Sequence, residues 1–137
     1  MIINNISPQK LTPILTDLLA LDQQNKAVSA MPIQTIAFSA EIADQIVGGV
    51  TAKITGESLH ISLLAVSPQQ QNQGIGAKLI EKVEAYALTE KLTTITLTTK
   101  SYQALDFYLK QGYQTFAELT DVPVRGITKY YLLKRLS

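Results

Sequence analysis

The sequence predicts an α+β fold: a mixed sheet with an antiparallel meander in front, one central parallel strand pair and an antiparallel return, flanked by helices. Three observations carry this. Apolar, β-rich runs at residues 35–42, 46–54 and 59–66 are separated by short turns. The hydrophobic period then changes from strand-like to helical at Gly74. A further β run, "TTITLTT", follows that helix, and a strand–helix–strand crossover places it parallel to the strand ending at Val66.

The elements follow in order. A short opening strand or extended arm leads to Ser7 and Pro8, an N-cap and first-turn proline, after which Leu11, Ile14, Leu15, Leu18 and Leu19 repeat at helical spacing. "DQQNKAVSAMP" reads as loop or weak helix. In the second strand, Gly48-Gly49 marks a bulge, a close backbone approach or plain packing tolerance. Residues 63–66 are all apolar, which predicts a strand buried on both faces. The helix from Gly74 to about Thr89 puts Ile75, Leu79, Ile80, Val83 and Ala87 on one face. Lys78, Glu81, Lys82 and Glu84 fall largely on the other. "YQALDFYLKQGY" is a short helix ended by Gly112, "QTFAEL" a strand, "DVPVRG" a turn and "GITKYYLLKRL" the last strand.

Composition removes several classes of function. At 137 residues the chain fits one domain, 1–137. A hydrophobic share of 46% with 17% charged residues excludes a disordered chain. Twelve basic residues against eleven acidic ones, with no basic cluster before Lys134 and Arg135, leave no footprint for nucleic acid. There is no cysteine and one histidine, His60, so thiolate nucleophiles, disulfides and multi-histidine metal sites are ruled out and no metal is expected. No apolar run nears 18 residues and no basic-then-apolar leader opens the chain, so no membrane association is expected and a cytoplasmic location is.

The stretch "AVSPQQQNQGIGAKLIEK" places two glycines, Gly74 and Gly76, where a strand hands over to a helix. Such a loop offers free N–H groups beside the positive end of a helix dipole, and glycine leaves them accessible to a bulky anion. A tight turn with close packing would use glycine equally well. The dinucleotide fingerprint fails for want of a third glycine at Leu79, and the Walker loop for want of a Gly-Lys-Ser/Thr ending.

Gln71, Gly74 and Gly76, with Asn72 and Gln73 between, followed by Phe107, Tyr108, Gly112 and Tyr113, resemble the GNAT superfamily of acyl-CoA N-acyltransferases, over roughly residues 35–135. The resemblance implies a single GNAT-like domain using acetyl-CoA as cosubstrate. It places the diphosphate on the backbone of Gln71, Asn72, Gln73, Gly74, Ile75 and Gly76, the pantetheine and thioester carbonyl along Leu64, Ala65 and Val66, and a general acid at Tyr108. The sequence departs from the family at Gln71 and Asn72, where many members have arginine and glycine. It departs again at Ser101, often asparagine, and in lacking a carboxylate on the strand at 59–66.

A thioester acylates only an uncharged amine. An alkylamine with pKa near 10.4 is almost wholly protonated at pH 7, a gap of about 4–5 kcal/mol. The base is therefore sought among His60, Glu118, Glu41 and water; each of the three side chains also reads as a plain strand residue. Glu118 is expected near the mouth of the parallel pair. Strict alternation puts His60, Ser62, Leu64 and Val66 on one face and Leu59, Ile61, Leu63 and Ala65 on the other. A backbone N–H near Ala65 or Val66 suits the developing oxyanion, and a phenol suits the leaving thiolate. Lys78, Lys100 and Gln103 are candidates for the adenine end. The acceptor is expected to be a small-molecule or peptide amine. The alternatives are a non-catalytic acyl-CoA-binding or regulatory protein, and an interaction domain whose Tyr- and Thr-rich strands form a homodimer surface.

Overall fold

The computed structural model describes residues 1–136, which form two compact units, residues 1–32 and residues 33 onward. The first holds α1 (Pro8–Asn25), which runs further than its leucine repeat suggests and takes in all of "DQQN". Ser7 stands at its N-cap without a side-chain cap, and no residue of the helix is buried. An Asp22–Lys26 ion pair at 3.0 Å closes its last turn.

The second unit is a six-stranded sheet with two helices. Its strands are β1 (Gln34–Ile42), β2 (Gln45–Thr55), β3 (Ser58–Val66), β4 (Thr94–Lys100), β5 (Gln114–Thr120) and β6 (Thr128–Arg135), and its helices are α2 (Ile75–Thr89) and α3 (Leu105–Lys110). The strand order is β1-β2-β3-β4-β6-β5. The meander β1–β2–β3 is antiparallel, β3 and β4 are parallel, and β4, β6 and β5 are antiparallel, as the sequence predicts. Among the described residues no helix is long and apolar enough to cross a membrane.

The core lies between the sheet and α2. Leu79, Ile80, Val83 and Ala87 of the helix meet Val50, Ala52, Leu59, Ile61, Ile95, Leu97 and Leu132 of the sheet. These strand residues share a face because cross-strand partners point the same way, as Ile54↔Leu59, Ala52↔Ile61 and Val50↔Leu64 do.

That last pair overturns the predicted alternation. Thr51 pairs with Leu63 while Ala52 pairs with Ile61, so Ser62 is an extra residue, a β-bulge. The bulge reverses the phase of β3: Leu59 and Ile61 face the core before it, and Leu64 and Val66 after it. Residues 63–66 are therefore not buried on both faces. Leu63 is 70% exposed and Ala65 is also exposed.

Two further expectations change. Glu84 belongs to the packed side of α2, half-buried rather than solvated, because it stands four residues after Ile80 and three before Ala87. Glu118 lies on β5, the sheet edge, with β6 between it and β4, so it is not at the mouth of the parallel pair.

Candidate active site

The site begins where β3 and β4 part. Their parallel ladder holds only Ser58↔Thr94, Leu59↔Ile95 and His60↔Thr96, although β3 continues to Val66 and β4 to Lys100. Beyond the third rung the facing edges carry backbone groups with no ladder partner, among them those of Leu64, Ala65 and Val66. Gly48 sits beside this end of β3 for want of space. A Cβ there would lie 2.9 Å from the Ala65 carbonyl oxygen, which is the close approach the glycine pair suggests; the bulge of β2 falls one residue earlier, opposite the Ala40/Glu41 shift.

After β3 the chain makes one 3-10 turn, Pro68–Gln70, and turns back into α2. The Gln71 side-chain amide donates to the Val66 carbonyl at 3.2 Å, tying the loop to the strand it leaves. Asn72 and Gly74 both adopt positive φ, 66° and 77°. At Gly74 a Cβ would meet nothing within 4 Å; here glycine serves the backbone angle, and the space in front of it is open. Gly76 is glycine for another reason, since a Cβ there would sit 3.3 Å from the Phe107 ring. Of the two readings of the pair, turn geometry holds at Gly74 and close packing at Gly76, against helix α3 rather than the sheet.

The first turn of α2 has no side-chain cap and no acidic residue. Gln71, Asn72, Gln73 and Gly74 are exposed, Ile75 and Gly76 half-buried. The amides at this end therefore point, uncapped, at an accessible space, with the positive pole of α2 behind them. The donor set fits a diphosphate: several backbone N–H groups, open room at Gly74 and no competing carboxylate.

Tyr108 lies across α3, only 7% exposed, with its ring edge-to-face against Phe107 at 5.2 Å and Tyr113 at 6.1 Å. Burial raises its pKa, so the phenol stays protonated at neutral pH. Among the described residues its hydroxyl has no hydrogen-bond partner, yet no sealed side-chain polar atom of these residues lacks one. The hydroxyl is therefore the part of Tyr108 that reaches open space.

Tyr113 contrasts with it. Its hydroxyl donates to Glu84 Oε2 at 3.0 Å, and burial together with the Glu84 charge pushes its pKa far up. Lys134 Nζ donates to both Glu84 oxygens at 3.1 Å and to the Gln111 carbonyl at 2.9 Å. This cluster, unforeseen from the sequence, joins α2, β6 and the end of α3. The signal was the helical position of Glu84.

Of the other candidates, His60 Nδ1 is 2.8 Å from Thr96 Oγ1, on the sheet face away from α2, since Leu59 and Ile61 face the core. Glu41 is on the opposite sheet edge, β1, accepting from Ser39 at 3.2 Å. Gln103 is engaged by the Lys100 amide at 2.8 Å. Ser101 accepts from the Thr128 amide at 3.1 Å, linking the loop before α3 to β6. Lys78 lines a groove of about 730 Å³ between α2 and β1. A second, mainly apolar trough of about 600 Å³ spans β1 to β3 and includes Leu63 and Ala65. Among the described residues no group of three or more His, Cys, Asp or Glu could hold a metal ion.

Comparison with known proteins bears on this arrangement. A blasticidin-S acetyltransferase of Streptomyces morookaense is 29% identical over 116 residues, 83% of this chain and 85% of that protein. An acetyltransferase from Bacillus cereus ATCC 14579 superposes with a TM-score of 0.87 at 26% identity, over 99% of this chain and 98% of that one. An aminoglycoside 6'-N-acetyltransferase complexed with coenzyme A gives 0.68 at 20% identity over 98% and 97%, a likeness of fold. The model of the acetyltransferase (GNAT) domain family matches residues 7–127. Parted parallel strands, a glycine-marked loop and an uncapped α2 thus occur in a chain that belongs to the GNAT acetyltransferase family.

Proposed function

We propose that the protein transfers an acetyl group from acetyl-CoA to an amine of a small molecule or peptide, by direct attack of the amine, with Tyr108 as general acid. The observation that supports this best is the parting of β3 and β4 directly before an uncapped helix N-terminus. Acetyl-CoA supplies an acyl group activated as a thioester, on a carrier whose diphosphate is an anion. The main-chain amides from Gln71 to Gly76 hold that anion, and the free edge formed by Leu64, Ala65 and Val66 orients the carrier and offers an N–H to the carbonyl oxygen. Tyr108, protonated and with its hydroxyl free, donates to the departing sulfur. The Gln71 side chain holds the loop in place.

Titration calorimetry with acetyl-CoA and coenzyme A, joined to a thiol-release assay over a panel of amines, tests this. Blasticidin S belongs in the panel because of the Streptomyces relative, beside simple alkylamines, an aminoglycoside and short peptides. Tyr108→Phe should lower kcat on the order of 10²-fold while coenzyme A affinity is kept. Binding without turnover of any amine would instead mark an acyl-CoA-binding protein, and no binding at millimolar coenzyme A would remove the assignment.

A further inference from the structure

We propose that His60 is the general base of this transfer, its imidazole fixed by Thr96 so that Nε2 takes the proton from the incoming amine. The inference rests on the function proposed above and names the group that function leaves open.

Position is the first argument. His60 and Thr96 form the last rung of the parallel ladder, so this imidazole stands where the gap between the strands begins. No acidic residue occurs in β2, β3 or β4. Glu41 and Glu118 are on the two edge strands, each separated from the gap by a whole strand. Among the candidate bases, His60 alone borders the gap.

Direction is the second. Leu59 and Ile61 are buried against α2, so His60 projects from the other face. Tyr108 packs on the α2 side, through Tyr113 and Glu84. A base on one face and an acid on the other match a reaction in which nitrogen loses a proton on one side of the acyl carbon and sulfur gains one on the opposite side. The trough over β1 to β3, with Leu63 and Ala65 in its lining, opens on the His60 face and gives the amine its approach. Leu64 lies four residues beyond His60, about 13 Å along an ideal strand; the Ser62 bulge shortens this, and a chain of waters carries the proton across the remainder.

The third argument is the state of the ring. With its proton on Nδ1, the imidazole donates to Thr96 Oγ1 at 2.8 Å, leaving the Nε2 lone pair free. Lys53 faces His60 across the β2 ladder, and Arg135 donates to Thr94, two residues before Thr96 on β4, at 2.7 Å. Partial burial and the Lys53 charge lower the pKa of His60, so it is an unprotonated base at pH 7.

The protons balance. The ammonium gives one proton to Nε2, which passes it to solvent. The freed nitrogen pair forms the C–N bond, the C–S pair leaves with sulfur, and sulfur takes the Tyr108 proton. The second proton shed by nitrogen restores the phenol through solvent. Per turnover one amide, one thiol and one proton appear.

Because His60 is the only histidine in the chain, one NMR titration reads its pKa without assignment. In wild type, the acidic limb of kcat/KM for the best alkylamine of the panel should match that value, and Thr96→Val should move both together. His60→Gln should lower kcat/KM with the alkylamine on the order of 10²-fold at pH 7 and abolish the limb. It should cost far less with hydroxylamine, which is already uncharged at that pH, and leave coenzyme A affinity unchanged. A variant that keeps the limb and the alkylamine rate, or a limb that does not follow the NMR value, overturns the role of His60 alone. Wild-type protein that binds coenzyme A and acetylates nothing overturns the transferase reading, and His60 as base with it.

Discussion

Gly74 and Gly76 stand one residue apart and resist substitution through different forces. Gly74 holds φ at 77°, and a Cβ there would meet nothing within 4 Å, so alanine meets no clash and suffers only the backbone strain of the left-handed region, about 1–2 kcal/mol. Asparagine tolerates that region, so Gly74→Asn should recover part of the loss in urea unfolding; equal losses for both variants would refute a purely conformational role. At Gly76 alanine gains about 1 kcal/mol of helix propensity but presses on Phe107, the ring beside Tyr108. The sequence displayed both glycines and the phosphate motif they fit. It could not separate the two reasons, because one is a dihedral angle and the other a contact with a helix 30 residues away. Tyr108 was legible only through the Phe-Tyr pattern. That its hydroxyl is unpartnered is a property of the packed state.

At the scale of elements, flanking turns mark β5, which is exposed along its whole length, and α3 begins three residues later than its run suggests; periodicity places the other strands and α2 to within a residue or two, because each has one face committed to the core. It failed inside β3, where a single inserted residue, Ser62, inverts which side chains are covered; an alternation rule has no means of registering a bulge within an unbroken apolar run. It says nothing of where β6 pairs, since its place between β4 and β5 is a matter of long-range pairing. Glu84 reads as solvent-facing by its charge, although its i−4 and i+3 neighbours, Ile80 and Ala87, are core residues. Its pair with Lys134, with side chains only 18% and 28% exposed, fastens α2 to β6 and to the turn after α3. Lys134→Met strands a half-covered carboxylate and should cost about 2 kcal/mol, discounted from the fully buried case for the remaining exposure. Adding Glu84→Leu removes the stranded charge and its desolvation penalty and should return part of it, the rest being lost with the hydrogen bond that Tyr113 makes to Glu84. Urea unfolding of the two single variants and the double variant measures the coupling, and strict additivity would mean that the staple contributes nothing.

For the whole molecule, the same groups set how stability depends on pH. The pKa of His60 is depressed from 6.5, so its neutral ring favours the folded state above that value, and this contribution is lost as pH falls through the lower folded pKa. Tyrosine gives the opposite limb. Tyr108 is raised by burial, and Tyr113 by burial and by the charge and hydrogen bond of Glu84. Above pH 10 the unfolded chain releases these phenolic protons while the folded chain retains them, so it is the unfolded state that gains and stability falls as pH rises. The contribution is whole below 10 and disappears as the folded values are approached. Every other group is the same in wild type and variant, so a comparison of the two isolates Tyr113 to first order. Tyr113→Phe should thus be less stable than wild type near pH 8, where the bond to Glu84 is missing, and the deficit should narrow steadily toward pH 11. Urea midpoints at half-unit intervals follow it directly. Parallel curves across that range would show that Tyr113 ionises as freely in the folded protein as in the unfolded chain, and that Glu84 holds it by packing alone.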